Sequence, residues 1–86
     1  MYLVRVYVTL KHTINDPNGL TILDGLQRLD FHKVRRVRSG KYIEIILDED
    51  TEFTASREIS SMCKKLLANT IIEDYRFELE QITDES

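Results

Sequence analysis

Cys63, His12, His32 and the acidic run Asp48-Glu49-Asp50 are the side chains of this sequence with the chemistry of a nucleophile, a base or a metal ligand. A nucleophilic thiol needs a base held beside it to raise its thiolate fraction. Both histidines fall in connecting segments, whereas Cys63 falls beside Met62 on an apolar stripe, where a thiol packs as a small hydrophobe. The spacing predicts a core cysteine. One Cys and two His are too few for a zinc cage, and a single thiol has no intrachain disulfide partner. Asp48, Glu49 and Asp50 are adjacent in the chain and read as solvated loop charge, because an acid–base pair needs two carboxyls in contrasting environments. Gly40-Lys41 lacks the glycine-rich spacing before it and the Ser/Thr after it that a phosphate loop requires. The basic run Lys33-Val34-Arg35-Arg36-Val37-Arg38 has valines interleaved, which predicts a charge-protected edge strand. Contact with phosphate or an acidic partner is its competing interpretation. No enzyme constellation emerges.

The elements that would position these residues follow from periodicity. Tyr2 to Leu10 alternates, with Val4, Val6, Val8 and Leu10 on one face and Leu3, Arg5, Tyr7 and Thr9 on the other, the signature of a half-buried strand. Asp16 is placed to cap a helix that begins at Pro17, whose missing N–H costs nothing there. Leu20, Leu23, Leu26 and Leu29 then recur at helical spacing to about Asp30, with Ile22 at the margin. Gly25, inside that helix, suggests close approach of a neighbour. Lys33–Arg38 and Lys41–Leu47 predict two strands joined by a hairpin at Ser39-Gly40. A second helix is expected from Thr54 to about Ala68, burying Ile59, Met62, Cys63, Leu66 and Leu67 and ending on a left-handed Asn69. A last strand has Tyr75, Phe77 and Leu79 inward and Asp74, Arg76, Glu78 and Glu80 outward.

The order is βαββαβ: an α+β, ferredoxin-like split-βαβ domain over residues 1–82, followed by a polar tail at 83–86. Right-handed crossovers put both helices on one face of a four-stranded antiparallel sheet, with the first and third strands as central neighbours. The other face then carries Leu3, Tyr7, Tyr42 and Ile46.

At 86 residues the chain buries only about 60–65% of its unfolded surface, so association with another chain is the expected route to stability. The 12 basic and 15 acidic residues give a net charge of −3, without the basic excess of a dedicated nucleic-acid binder. No apolar run is long enough to span a membrane, and the N-terminus reads as a strand rather than a signal peptide, which together with the lone thiol points to the reduced cytoplasm.

Three occupants compete for the uncovered face. RNA-recognition domains share this strand order and stack bases on aromatics of their central strands. Val6-Tyr7-Val8 and Gly40-Lys41-Tyr42 echo their motifs, but Ile43, Glu44, Ile45 and Ile46 stand where the longer motif needs a small residue and further aromatics. Asp74, Glu78 and Glu80 would also repel phosphates. A ligand-sensing regulatory module of this topology shows no ligand-specific residue. A protein partner fits best.

Four blocks in order carry a family resemblance: Val6-Tyr7-Val8-Thr9-Leu10-Lys11, Asp16-Pro17-Asn18-Gly19, Val37-Arg38-Ser39-Gly40-Lys41-Tyr42, and Cys63 through Leu66-Leu67-Ala68-Asn69-Thr70 to Tyr75. The chain resembles the small S subunits of phosphoribosylformylglycinamidine synthase, over nearly its whole length. It departs from them in Leu20–Phe31, Asp48–Phe53 and after Gln81, which read as variable surface. The resemblance implies a non-catalytic subunit of an ATP-dependent, glutamine-hydrolysing C–N ligase. Such a subunit forms homodimers or higher homo-oligomers and bridges a synthetase and a glutaminase subunit, with no cofactor of its own. ATP and Mg belong to the synthetase. On that expectation Leu3, Tyr7, Tyr42 and Ile46 form a self-association face, and Arg38, Lys41, Asn69, Asp74 and Tyr75 contact the larger subunits. Simpler roles compete: Asn69 as a helix cap, Tyr75 as core, and Arg38 with Lys41 as charges flanking a hairpin.

Overall fold

Alternating β-branched and polar residues draw Tyr2–Leu10 into a strand, β1, which the computed structural model places at the centre of an antiparallel sheet. The structure describes residues 1–83, so of the polar tail only Thr83 falls within it. Helix α1 spans Pro17–Arg28, strand β2 Gly40–Leu47, helix α2 Glu52–Met62 and strand β3 Glu73–Gln81. The sheet order is β2-β1-β3. Val4 lies opposite Ile45 and Leu79, and Val6 opposite Ile43 and Phe77. One face therefore collects all the inward residues that alternation predicts. Tyr2, Val4, Val6 and Val8 are buried there, and the isoleucines, Tyr75, Phe77 and Leu79 pack around them.

Helix α2 covers that face. Thr51 caps it by accepting from the Thr54 amide at 3.2 Å, so the helix begins ahead of the Thr54 start that the sequence suggests. Ala55 and Ile59 are buried beneath it. A fully buried isoleucine of this kind contributes about 1.5–3 kcal/mol. The helix continues as one π turn, Cys63–Leu67, in which the Ala68 amide donates to the Cys63 carbonyl at 2.9 Å. The wider turn seats Cys63 in the core and leaves Leu66 outside, contrary to the expected stripe. The chain leaves the turn through an extended Ala68 rather than a left-handed Asn69. Asn69 instead accepts from the Ile71 amide through its side chain, at 3.1 Å.

The α+β class and the pairing of β1 with β2 match expectation, but among the described residues the sheet has three strands rather than four, so β2 is an edge rather than a central strand, and the main helix packing on the sheet is that of α2. Lys33–Arg38 is not a strand, and Ser39-Gly40 is not a hairpin turn, since Gly40 opens β2. The cause lies at the root of α1. Asp16 caps α1 by accepting from the Gly19 amide at 3.0 Å, and the same carboxylate accepts from the Ser39 amide at 2.7 Å. Arg38 donates to the carbonyls of Leu10, Lys11 and Ile14 at 3.2, 2.8 and 3.0 Å. Residues 37–39 are thereby tied to the connector before α1 and cannot run along β2.

Residues 11–39 consequently form an arm. Leu23 and Leu26 of α1 are half-buried against the returning chain, but Leu20 is exposed and Leu29 and Phe31 are 68% and 56% exposed. A leucine stripe at helical spacing thus faces largely outward. Among the described residues nothing lies within 4 Å of a β-carbon built on Gly25, so no close approach explains that glycine. Helix α1 ends in a Schellman motif: Phe31 donates to Leu26 and Asp30 to Gln27, with Asp30 at φ 71°. The radius of gyration is 16.5 Å, against about 12 Å for a compact chain of this length.

Candidate functional site

The outer face of the sheet is built in rows by the register. Leu3 lies between Ile46 and Glu80, Arg5 between Glu44 and Glu78, Tyr7 between Tyr42 and Arg76, and Thr9 between Gly40 and Asp74. Leu3, Tyr7, Tyr42 and Ile46 do share this face, as two cross-strand pairs rather than one patch, because the ionic row of Arg5 separates them. The tyrosine rings sit 5.3 Å apart, tilted by 41°. Arg76 lies 3.9 Å above the Tyr7 ring and holds Glu78 at 2.9 Å, an arrangement in which the ring quadrupole attracts the cation. Tyr42 is 52% exposed and Ile46 44%.

Charge organises the same face. Arg5 reaches Glu80 at 3.3 Å, and this hydrogen bond, the largest influence on the guanidinium, favours its charged form. Tyr42 donates to Glu44 at 2.9 Å. Partial burial, then the neighbouring carboxylate, push the Tyr42 phenol above its ordinary pKa, so it remains a donor. Sequence reasoning put all of these side chains on the outer face but did not foresee that Arg76 would stack on Tyr7 or that Glu44, Arg5 and Glu78 would form one row. Cross-strand pairing, not local pattern, assembles them.

The other candidate residues gather at one end of the sheet, where β2 and β3 begin. Lys41 Nζ lies 3.8 Å from Glu73 and 3.5 Å from the Leu67 carbonyl. Glu73 accepts from the Asn69 amide at 2.7 Å, so it links Lys41 to Asn69. Nothing in its position in the sequence had singled out Glu73. Asp74 points to the outer face in the Thr9 row, whereas Tyr75 faces the core, its hydroxyl 3.5 Å from that of Ser60. Arg38, with its guanidinium on three carbonyls, is a clamp for the chain itself.

The groups with catalytic potential stay apart. Cys63 is fully buried, and burial pushes its thiol pKa up, away from the reactive thiolate. His12 lies 3.5 Å from Arg36, and His32 lies 3.4 Å from Asp30 on the arm. The Glu58 carboxyl is held above the ordinary range by hydrogen bonding with Glu49, then by burial. Among the described residues no three His, Cys, Asp or Glu side chains converge on a metal position, and no helix is long and apolar enough to cross a membrane.

Comparison with known proteins gives a consistent result. The family model described as PurS, phosphoribosylformylglycinamidine (FGAM) synthase, matches residues 3–81. The chain is 49% identical over 78 residues to the phosphoribosylformylglycinamidine synthase subunit PurS of Synechocystis, covering 91% of this chain and 78% of that one. It is 43% identical over 82 residues to the PurS subunit of Bacillus subtilis, covering 95% and 96%. Among solved structures, Methanocaldococcus jannaschii PurS aligns with a TM-score of 0.87 at 41% identity, covering 96% of this chain and 100% of that one. B. subtilis PurS aligns at 0.85 and 43%, covering 94% and 100%.

Proposed function

This chain belongs to the PurS family of phosphoribosylformylglycinamidine synthase, and on that premise we propose how it serves the ligase. It is the small, non-catalytic subunit of a multi-subunit enzyme, and it bridges an ATP-dependent synthetase subunit and a glutaminase subunit. The glutaminase releases ammonia from glutamine. The synthetase uses ATP and Mg to activate the amide oxygen of formylglycinamide ribonucleotide, and ammonia replaces that oxygen to give the amidine. The small subunit contributes geometry: it keeps the two active sites in one particle, where ammonia released at one is used at the other. The match across residues 3–81 carries this reading.

The surfaces divide the work. Leu3, Tyr7, Tyr42 and Ile46 bury against a second copy, and Lys41, Asn69 and Asp74 meet the larger subunits. Arg38 and Tyr75 support that end of the sheet from within. The free, buried Cys63 suits the reduced cytoplasm. RNA is disfavoured by the carboxylates of Glu44, Glu78 and Glu80 on the face it would have to use.

The test is reconstitution with synthetase and glutaminase subunits, ATP, Mg, glutamine and formylglycinamide ribonucleotide. Omitting this chain is expected to abolish glutamine-dependent amidine formation while ammonia-dependent formation continues. Equal glutamine-dependent rates with and without it would refute the bridging role.

A further inference from the structure

An asparagine followed by glycine is the one most prone to lose its side-chain amide, because glycine carries no side chain to keep its own amide nitrogen away from the asparagine carbonyl carbon. The sequence has a single such pair, Asn18-Gly19. It lies in the first turn of α1, at the root of the arm. Asn18 is exposed, whereas Gly19 is buried and its amide donates to Asp16 at 3.0 Å. Asp16 is itself only 4% exposed and accepts from the Ser39 amide through its other oxygen. A β-carbon on Gly19 would meet the Val37 carbonyl and the Asp16 carboxylate, so the backbone there has no spare room. The amide that would react is held, while the side chain it would attack stands in water.

We propose that Asn18 is a deamidation site gated by the arm root: it stays intact while Asp16 holds the Gly19 and Ser39 amides, and it is converted when that root opens. In the reaction the Gly19 nitrogen bonds to the side-chain carbonyl carbon of Asn18. The bond from that carbon to Nδ2 breaks, and ammonia leaves with the proton given up by the Gly19 amide. Water then opens the succinimide at either carbonyl, leaving aspartate or isoaspartate at position 18. The hydrogen bond to Asp16 blocks the first step, since the amide proton must leave before the nitrogen attacks, and a carboxylate beside it disfavours the amide anion. Isoaspartate makes the opening permanent. It adds a methylene to the main chain ahead of Gly19, where Val37 and Asp16 already crowd the backbone, so the amide no longer reaches Asp16. The new carboxylate also stands in the cleft that Asn18 lines with Lys41 and Glu73, and it competes for an ammonium whose present partner is 3.8 Å away. A transient opening of the arm is thereby recorded as a covalent change.

Ageing the full chain under mildly alkaline conditions tests this, folded and in urea at the same pH. Mass spectrometry of the tryptic peptide His12–Arg28 follows Asn18, with Asn15 of the same peptide as an internal reference. Asn18 is expected to deamidate about 10–100-fold more slowly in the folded chain than in urea, the protection that one charge-assisted hydrogen bond gives a closed site. Asp16→Ala, with its fold checked by circular dichroism, is expected to lose most of that protection. Ser39→Ala, a milder change at the same root, is expected to lose part of it, and it carries the test if Asp16→Ala does not fold. Equal rates folded and in urea, or full protection in the folded variants, overturn the gate. Permanence has its own readout. In the isoaspartate form separated after ageing, hydrogen exchange at the Gly19 and Ser39 amides is expected to be at least tenfold faster than in the unmodified chain. Unchanged exchange there overturns the claim that the root stays open.

Discussion

The carboxylate of Asp16 caps α1 and also fixes, through Ser39, the point at which the chain re-enters the sheet. The capping half is local and was legible in Asp16-Pro17; the other half joins residues 23 apart and has no local signature. The amides of Ser39 and then Gly19 hold this carboxyl below its ordinary range. Because the folded pKa is depressed, the stability it contributes is present above the unfolded value near 3.8 and is lost as pH falls through the lower folded value. Asp16→Asn is therefore expected to lower the melting temperature at pH 7 and to flatten its fall below about pH 4, measured by thermal melts across pH. Lys41 predicts a different outcome. Its pairing with half-buried Glu73 is long, at 3.8 Å, and ends on an exposed ammonium, so it is worth less than about 1 kcal/mol, and Lys41→Ala should leave Tm nearly unchanged while lowering glutamine-dependent turnover in the reconstituted complex. Equal turnover would remove Lys41 from the subunit contact.

The strands were the most legible elements, because alternation in Tyr2–Leu10 and in Asp74–Glu80 assigns each residue a face wherever pairing occurs. The segment Lys33–Arg38 failed that logic for a reason no periodicity contains. Arg38 spends its donors on the carbonyls of Leu10, Lys11 and Ile14, and a tether of that kind overrides strand propensity. The leucines of α1 kept their helical spacing but not their burial, since spacing describes a face without saying which chain covers it. Two glycines make the contrast testable. At Gly25 a methyl group meets open space among the described residues, so Gly25→Ala should raise stability by about 1 kcal/mol in denaturant titration. At Gly19 the same methyl would collide with the Val37 carbonyl and crowd Asp16 at the arm root, so Gly19→Ala should lower it by about 1–3 kcal/mol.

As a whole the molecule measures 49 × 30 × 15 Å, a thin sheet layer with an arm, too open for a chain that must be stable alone. Its outer face is the surface that the sequence identified by residue and that register resolves into an aromatic row, an ionic row and an aliphatic row. Tyr42→Glu would place a second carboxylate beside Glu44 in the aromatic row, and the expected result is a smaller particle by light scattering; an unchanged mass would clear that face of any role in self-association. The sheet order has a consequence for synthesis. The central strand, β1, leaves the ribosome before its two neighbours, and β3 follows every other described element. At roughly 5–20 residues per second, Val4, Val6 and Val8 wait several seconds for β3 to reach them. During that interval the side of β1 that β3 will take presents unpaired backbone N–H and C=O groups above an uncovered valine face, a template open to pairing with another chain.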